Sequence, residues 1–557
     1  MCVINNLSER RMELESTLSG KPLLKTSSTS EYVKRYCKPY HTKWVRSKGA
    51  ILILAWSFLA MSVVYYYSIS ISRGSVSMKV NNERPKGSEL IGMGSFLLIG
   101  GWLADAYFGR YKAIRSGLWI MWIGSFLSAC SLVIAKFNTA YKYKGADRWV
   151  SLFSEIVMGS GFGLFQSNII QFGIDQLSDA SSTEITSFIT CYTLILFISG
   201  FVMDFSAHEH CAPDYVGVLV LTVCLTLAVC IHFLFGHVLV KEQTIQNPLP
   251  LIWKVIRYSI KNHNLQQRFS SFEDHSFLDI AKMVYAGPFS SEQVEDVKAF
   301  FRVMVVIIAC VLPHSGTTSI FTIKDSLLPH LQNIQSTSSL DCYRVLTLTH
   351  ANFIFTIALV LLYLIIIQPL FYNCIPKVSI TTKFIIALAL YLIRIMALLG
   401  IESASYQYQL QENATNISRC YTLQNGHHTT ININSKWVVV PEIANGLSLF
   451  ILILAGLEFV CAQAPFNMKG FVFGITYALF GCCTLLQTVL LVPFHYVEET
   501  VWEKAPLTCG IWYFLIQVVL TLLCFVLMIV VIKRYKRRTR ISATQSEWQE
   551  SYSVNSN

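Results

Sequence analysis

Twelve apolar runs, each near the roughly 20 residues a helix needs to cross a hydrocarbon core, dominate this chain and leave few folds open to it. They fall near 49–71, 89–107, 113–135, 149–172, 185–205 and 214–239, then near 301–323, 347–372, 380–402, 437–461, 468–493 and 508–532. A polar stretch over 241–300 separates the two sets of six. With 53% hydrophobic and 14% charged residues and a mean hydropathy of +0.48, the chain is too apolar for an ordinary water-soluble protein. The expected fold class is an all-α membrane protein of 12 transmembrane helices in two six-helix bundles, with the lipid bilayer as its first partner. Two windows are irregular. The second, "SELIGMGSFLLIGGWLADAYF", is barely long enough to span, and the seventh is interrupted by Pro313 and "HSGTTS".

An even number of spans puts both termini on one side, and both termini are basic. Lys34, Arg35, Lys38, Lys43, Arg46 and Lys48 precede the first span, and "KRYKRR" follows the last. The positive-inside rule makes that side cytoplasmic. The linker, with Lys241, Lys254, Arg257, Lys261, Arg268 and Lys282, falls on the same side. Asn413-Ala-Thr415 and Asn416-Ile-Ser418 are glycosylation acceptors in the loop this topology places outside or in a lumen. Asn6-Leu-Ser8 matches the same pattern on the cytoplasmic tail and is expected to stay unmodified. The domain reading is then a cytoplasmic tail over 1–48, an N-terminal bundle over 49–240, a cytoplasmic linker over 241–300, a C-terminal bundle over 301–532 and a basic tail over 533–557. A multi-pass protein of the plasma membrane or of lysosomes and endosomes is expected. "KPLL" with Leu23 and Leu24 is a weak sorting signal, and the polar opening residues show no cleaved secretory signal.

The formal charge of +11 sits where anionic headgroups would meet it, which argues against nucleic acid as a partner. The 16 cysteines form no CxxC pair and no zinc-spaced Cys/His cluster, so no metal and no cofactor is expected. Cys211, Cys342 and Cys420 lie in or beside lumenal loops, where pairing is open and no partner is fixed. No nucleophile–base pair or phosphate loop appears, so an enzyme is not expected.

Chemistry concentrates where the second span ends, in "GGWLADAYFGRYKAI", Gly100 to Ile114. Gly109 permits a tight turn. Asp105 can pair with Arg110 or cap a neighbouring helix N-terminus, giving a charge latch closed on one side of the membrane. For a lone D-x4-R, an ordinary positive-inside turn is the alternative. Near the linker's end, Ser290 and Gln293 stand at capping-box spacing ahead of an acidic first turn, and this starts the seventh helix.

Four segments, in order along nearly the whole chain, carry a resemblance: "GGWLADAYFGRYKAI", "NIIQFGIDQLSD", "MVYAGPFSSEQVEDVKAFFRV" and "LAGLEFVCAQAPFNMKG". Together they resemble the proton-dependent oligopeptide transporters of the major facilitator superfamily, nearest the peptide/histidine branch. The resemblance implies two bundles rocking about a central site, and a gating motif on Gly101, Asp105, Gly109, Arg110 and Lys112. It also implies a peptide or small-molecule substrate, with the proton as a second partner.

The residues that carry the family's proton and peptide chemistry are replaced here. The first span, "ILILAWSFLAMSVVYYYSI", holds no charge, and Trp56, Leu59 and Ala60 cannot bind a proton. Gln166 stands where the family has a fourth-helix lysine, Leu449 where a tenth-helix glutamate would be, and Phe197 where an asparagine would be. The candidate substrate cavity is Tyr65, Tyr66, Gln166, Asn168, Tyr192, His314 and Glu458. His232, His237 and His350 are expected to pack, and Glu155, Arg394, Glu402 and Glu442 to snorkel from span ends. The expected function is secondary active transport of peptides, histidine or related small solutes by alternating access, without the usual charges. A facilitative transporter of another solute and a non-transporting membrane receptor or adaptor are the alternatives.

Overall fold

The computed structural model describes residues 47–61, 88–137, 146–177, 182–206, 214–241, 247–262, 276–314, 331–332, 351–368, 378–412, 431–465, 468–480, 482 and 509–535. Each of the twelve windows holds a helix. Seven helices among the described residues are long and apolar enough to cross a membrane, and four shorter apolar helices, Lys48–Met61, Phe96–Phe108, Ala351–Ile367 and Lys469–Phe480, stand in the first, second, eighth and eleventh windows. The fourth window holds Ala146–Asp175, whose Gly, Ser, Gln and Asn content keeps it more polar than its neighbours. The helices fall into two sets of six, before and after the linker. One short parallel strand pair, Leu331–Gln332 with Ile431–Asn434, joins the loops that follow the seventh span and precede the tenth.

Burial sorts the helices. The seventh, Ser291–His314, buries Val303, Val306, Ile307 and Cys310. The twelfth, Cys509–Arg534, turns Val519, Leu523 and Val526 outward, as a helix facing lipid tails can without cost. The fourth packs against the second and the third, and the ninth, Ile380–Glu412, against the tenth, Val439–Gln463, and the twelfth.

The seventh span differs from its window. Its helix begins at Ser291 and continues through Pro313 to His314, so proline does not end it. Pro313 has no N–H to donate, and the last turn is tied by the contact of His314 Nδ1 with the Cys310 carbonyl at 3.2 Å. The capping box closes at the other end. Gln293 N–H donates to Ser290 Oγ (3.2 Å) and Ser290 N–H to Gln293 Oε1 (3.1 Å).

The linker folds back on this helix. Its own helix, Pro248–Lys261, is capped by Asn247. Beyond it, Asp279 Oδ1 takes Lys282 Nζ (2.6 Å) and Lys298 Nζ (2.5 Å), and Glu295 Oε1 takes the same two lysines at 2.7 and 3.1 Å. Burial alone would raise the Asp279 carboxyl, but the hydrogen bonds from Lys282 and Lys298 outweigh it and hold the group below the usual carboxylate range. Burial opposes the charge on Lys282 too, yet its bonds to Asp279 and Glu295 raise its pKa.

Snorkelling is not how this chain carries its buried charges. Arg394 is fully enclosed, and Glu402 and Glu442 are each 1% exposed. The helix of the ninth span runs ten residues past its apolar window, to Glu412, which moves Arg394 to the helix middle. The side chain of Glu155 lies outside the described residues.

Candidate functional site

The end of the bundle that faces the linker gathers six chain segments. Ser47 Oγ donates to the Gln176 carbonyl (3.4 Å), and Gln176 also bonds Val240 N–H (2.8 Å) and the Val240 carbonyl (3.0 Å). Trp102 Nε1 donates to Asn247 Oδ1 (3.2 Å). At this end the second span changes its winding. Ala104–Phe108 is one π-helical turn, closed by Gly109 N–H on the Ala104 carbonyl (2.9 Å), and Gly109 takes φ 73, which favours glycine. Such turns re-aim side chains at functional positions. Here the turn directs Asp105.

Asp105 is 3% exposed and reaches the other bundle, where Phe471 N–H donates to its Oδ2 at 2.8 Å. Of the two partners open to it from sequence, the helix N-terminus is therefore the one it takes, since Phe471 opens the eleventh span. Arg110, a charged neighbour of Asp105 as well, pairs with Asp175 (2.6 Å), and Gln171 Nε2 holds the other Asp175 oxygen at 2.7 Å. Lys112 is exposed. The two backbones touch where Gly101 faces Gly470: a Cβ on Gly101 would stand 2.2 Å from the Gly470 carbonyl oxygen. Asn168, expected in the cavity, belongs to this crossing. Its Nδ2 bonds the Leu164 carbonyl (2.9 Å), and its Oδ1 would lie 2.8 Å from a Cβ on Gly470.

Deeper in, the same interface is polar and uncharged. Gln166 Nε2 donates to the Tyr192 hydroxyl at 3.2 Å, both side chains being buried. The buried Tyr477 hydroxyl of the eleventh span lies beside both without a well-formed bond of its own. The fourth and fifth spans of one bundle thus meet the eleventh of the other. Beyond this cluster Phe197 meets Phe353 (5.9 Å) and Phe450 (5.3 Å) edge to face, an aromatic contact between bundles. Trp56, on the uncharged first span, is fully buried with its ring 5.1 Å from His232.

The remaining cavity candidates are in separate places. Glu458 pairs with Lys383 of the ninth span (2.6 Å). His314 sits in the C-terminal bundle, its ring 4.5 Å from that of Tyr391. Its Nε2 lies 2.7 Å from Ser448 Oγ while the Ser448 hydroxyl donates to the Ala387 carbonyl at 2.6 Å. A carbonyl only accepts, so Nδ1 must carry a proton to bond Cys310, and Ser448 has one proton to give. A neutral imidazole with its proton on Nδ1 makes the bond to Cys310, and the Ser448 proton goes to the Ala387 carbonyl. Tyr65, Tyr66, Asn413 and Asn416 lie outside the described residues. Sequence reading missed Lys383, Tyr477 and Tyr391. Lys383 had a signal, a cation three residues inside an apolar run, whereas the two tyrosines look like any aromatic of a membrane helix.

No model of a known protein family matches the sequence. The fold is similar to a crystal structure of an auto-inhibited POT family peptide transporter, at TM-score 0.57 and 14% identity over 89% of this chain and 99% of that one. It is equally similar to the POT family transporter PepTSo, at TM-score 0.57 and 14% identity over 88% and 99%. A POT family transporter in complex with 5-aminolevulinic acid gives TM-score 0.53 and 14% identity over 87% and 96%. At such identity the likeness is one of fold, the fold of these POT family transporters.

Proposed function

We propose that this protein moves a small polar solute across a membrane by alternating access, binding it where Gln166, Tyr192 and Tyr477 meet between the bundles. The observation that carries the reading is the position of that uncharged cluster. It bridges both halves and lies between a polar crossing at Asp105 and Gly470 and an aromatic seal at Phe197. Contacts made across two halves are those a rocking motion breaks and remakes. Amide and hydroxyl groups recognise a solute through hydrogen bonds and give no fixed charge to hold a carboxylate. Peptides and histidine are the first solutes to test, because the fold neighbours include peptide transporters.

Proton coupling does not use the first span, whose described residues carry no ionisable group beyond Lys48. Asp105 and Phe471 form the gate on the linker side, which we take as cytoplasmic. The test is uptake of labelled Gly-Sar and of labelled histidine into vesicles bearing the purified protein. Saturable uptake, lost in Tyr192→Phe or Gln166→Ala, is expected. Binding of either solute without flux, seen as a solute-dependent thermal shift, would replace the transporter reading with a receptor.

A further inference from the structure

The C-terminal bundle encloses an arginine whose guanidinium makes no hydrogen bond among the described residues. Arg394 lies at the middle of the ninth span at 0% exposure, and its Nε, Nη1 and Nη2 have no hydrogen-bond partner among the described residues. A guanidinium stays protonated at any accessible pH, and an uncompensated charge in so dry a place is among the costliest features a protein can hold. Its one close neighbour of note is the Tyr391 ring, 5.8 Å from the guanidinium carbon. A ring face offers a weak quadrupole in place of a counter-charge. The hydroxyl of Tyr391, fully buried, is also without a partner. The nearest acid along the helix, Glu402, lies eight residues on, about 12 Å by helical rise. His314 packs against Tyr391, their ring centroids 4.5 Å apart.

We propose that Arg394 and Tyr391 form an internal binding site for a small monovalent anion, chloride by preference. The chemistry selects the class. The N–H groups of Arg394 and the O–H of Tyr391 have no acceptor among the described residues, so the ligand is one that accepts. One net positive charge calls for one negative, and enclosure by the packed cluster of Tyr391, Ile395, Leu398, Tyr513 and Phe514 favours a small ion. A solute carboxylate presents the same chemistry and is the rival source. The site lies within one bundle, away from the Gln166 cluster, so it is independent of whether the protein transports anything.

The test uses the purified full-length protein in detergent, melted at constant ionic strength and fixed pH in sodium chloride, sodium acetate or sodium gluconate. Chloride is expected to raise the melting temperature saturably over gluconate, since a ligand of the folded state stabilises by mass action. Arg394→Gln should abolish that dependence, and Tyr391→Phe should weaken the half-saturating concentration several-fold. Should Arg394→Gln fail to fold, Arg394→Lys, which keeps the charge and loses the fork, is expected to retain a weaker chloride response. A response to acetate with none to chloride would support the anion site and assign it to a carboxylate. Equal melting in all three salts, or a chloride response unchanged in both Arg394→Gln and Tyr391→Phe, would overturn the proposal.

Discussion

The crossing at Asp105 and Gly470 and the cluster at Gln166, Tyr192 and Tyr477 belong to one interface between bundles, yet the first is built on charge and the second avoids it. At the crossing every ionised group has an answer. Asp105 takes the Phe471 N–H and Arg110 takes Asp175. At the centre an amide meets two hydroxyls. The difference teaches that the parts that would close one side are separable from the parts that would touch a solute.

The most damaging way to break this comparison is at Gly101. Leucine there drives a side chain into the Gly470 carbonyl and should cost about 3 kcal/mol, the upper range of overpacking. A melting temperature left unchanged would mean that the bundles do not touch at this level in solution. Tyr192→Phe comes next. It strands the buried Gln166 amide, for about 2 kcal/mol, and should weaken solute binding more than Asp105 variants do. Asp105→Ala removes the cap of the eleventh span for about 1 kcal/mol, whereas Asp105→Asn keeps an acceptor and should melt near the parent while flux falls. A cap variant that abolishes solute binding would erase the separation of gate and centre.

The smallest effect expected is that of pH on the linker clamp. Asp279 has a depressed pKa when folded, so its stabilisation is present above the ordinary carboxylate range and is lost as pH falls below it. Lys282 has a raised one, so its share is present below the ordinary lysine range and is lost as pH rises through its folded value. Melting should therefore be flat from about pH 5 to about pH 9. Asp279→Asn should lower the plateau and remove part of the acid-side fall.

Much of the fold was legible because length and apolarity alone mark a spanning helix, and the windows and helices coincide within a few residues over most of the chain. The capping box at Ser290 and Gln293 placed the start of the seventh helix more truly than its apolar run did, since the first turns of that helix are polar. Arg394 was misread for the opposite reason. Helix extends beyond the apolar window to Glu412, so distance from the window's end was no guide to depth. Pairings across bundles, such as Asp105 with Phe471, join residues hundreds of positions apart. No local pattern encodes them. The uncharged character of Trp56, Gln166 and Leu449 was readable residue by residue, but that Gln166 finds Tyr192 and Tyr477 required the helices to be placed.

The central claim is that an uncharged centre serves a transporter whose first span takes no part in proton coupling. It is tested most directly by following labelled Gly-Sar or histidine into proteoliposomes with and without an inward proton gradient. Saturable uptake that equilibrates at the same level in both conditions, and falls in Tyr192→Phe, is the predicted result. Accumulation above the external concentration, driven by acid outside and unaffected by Tyr192→Phe, would contradict it.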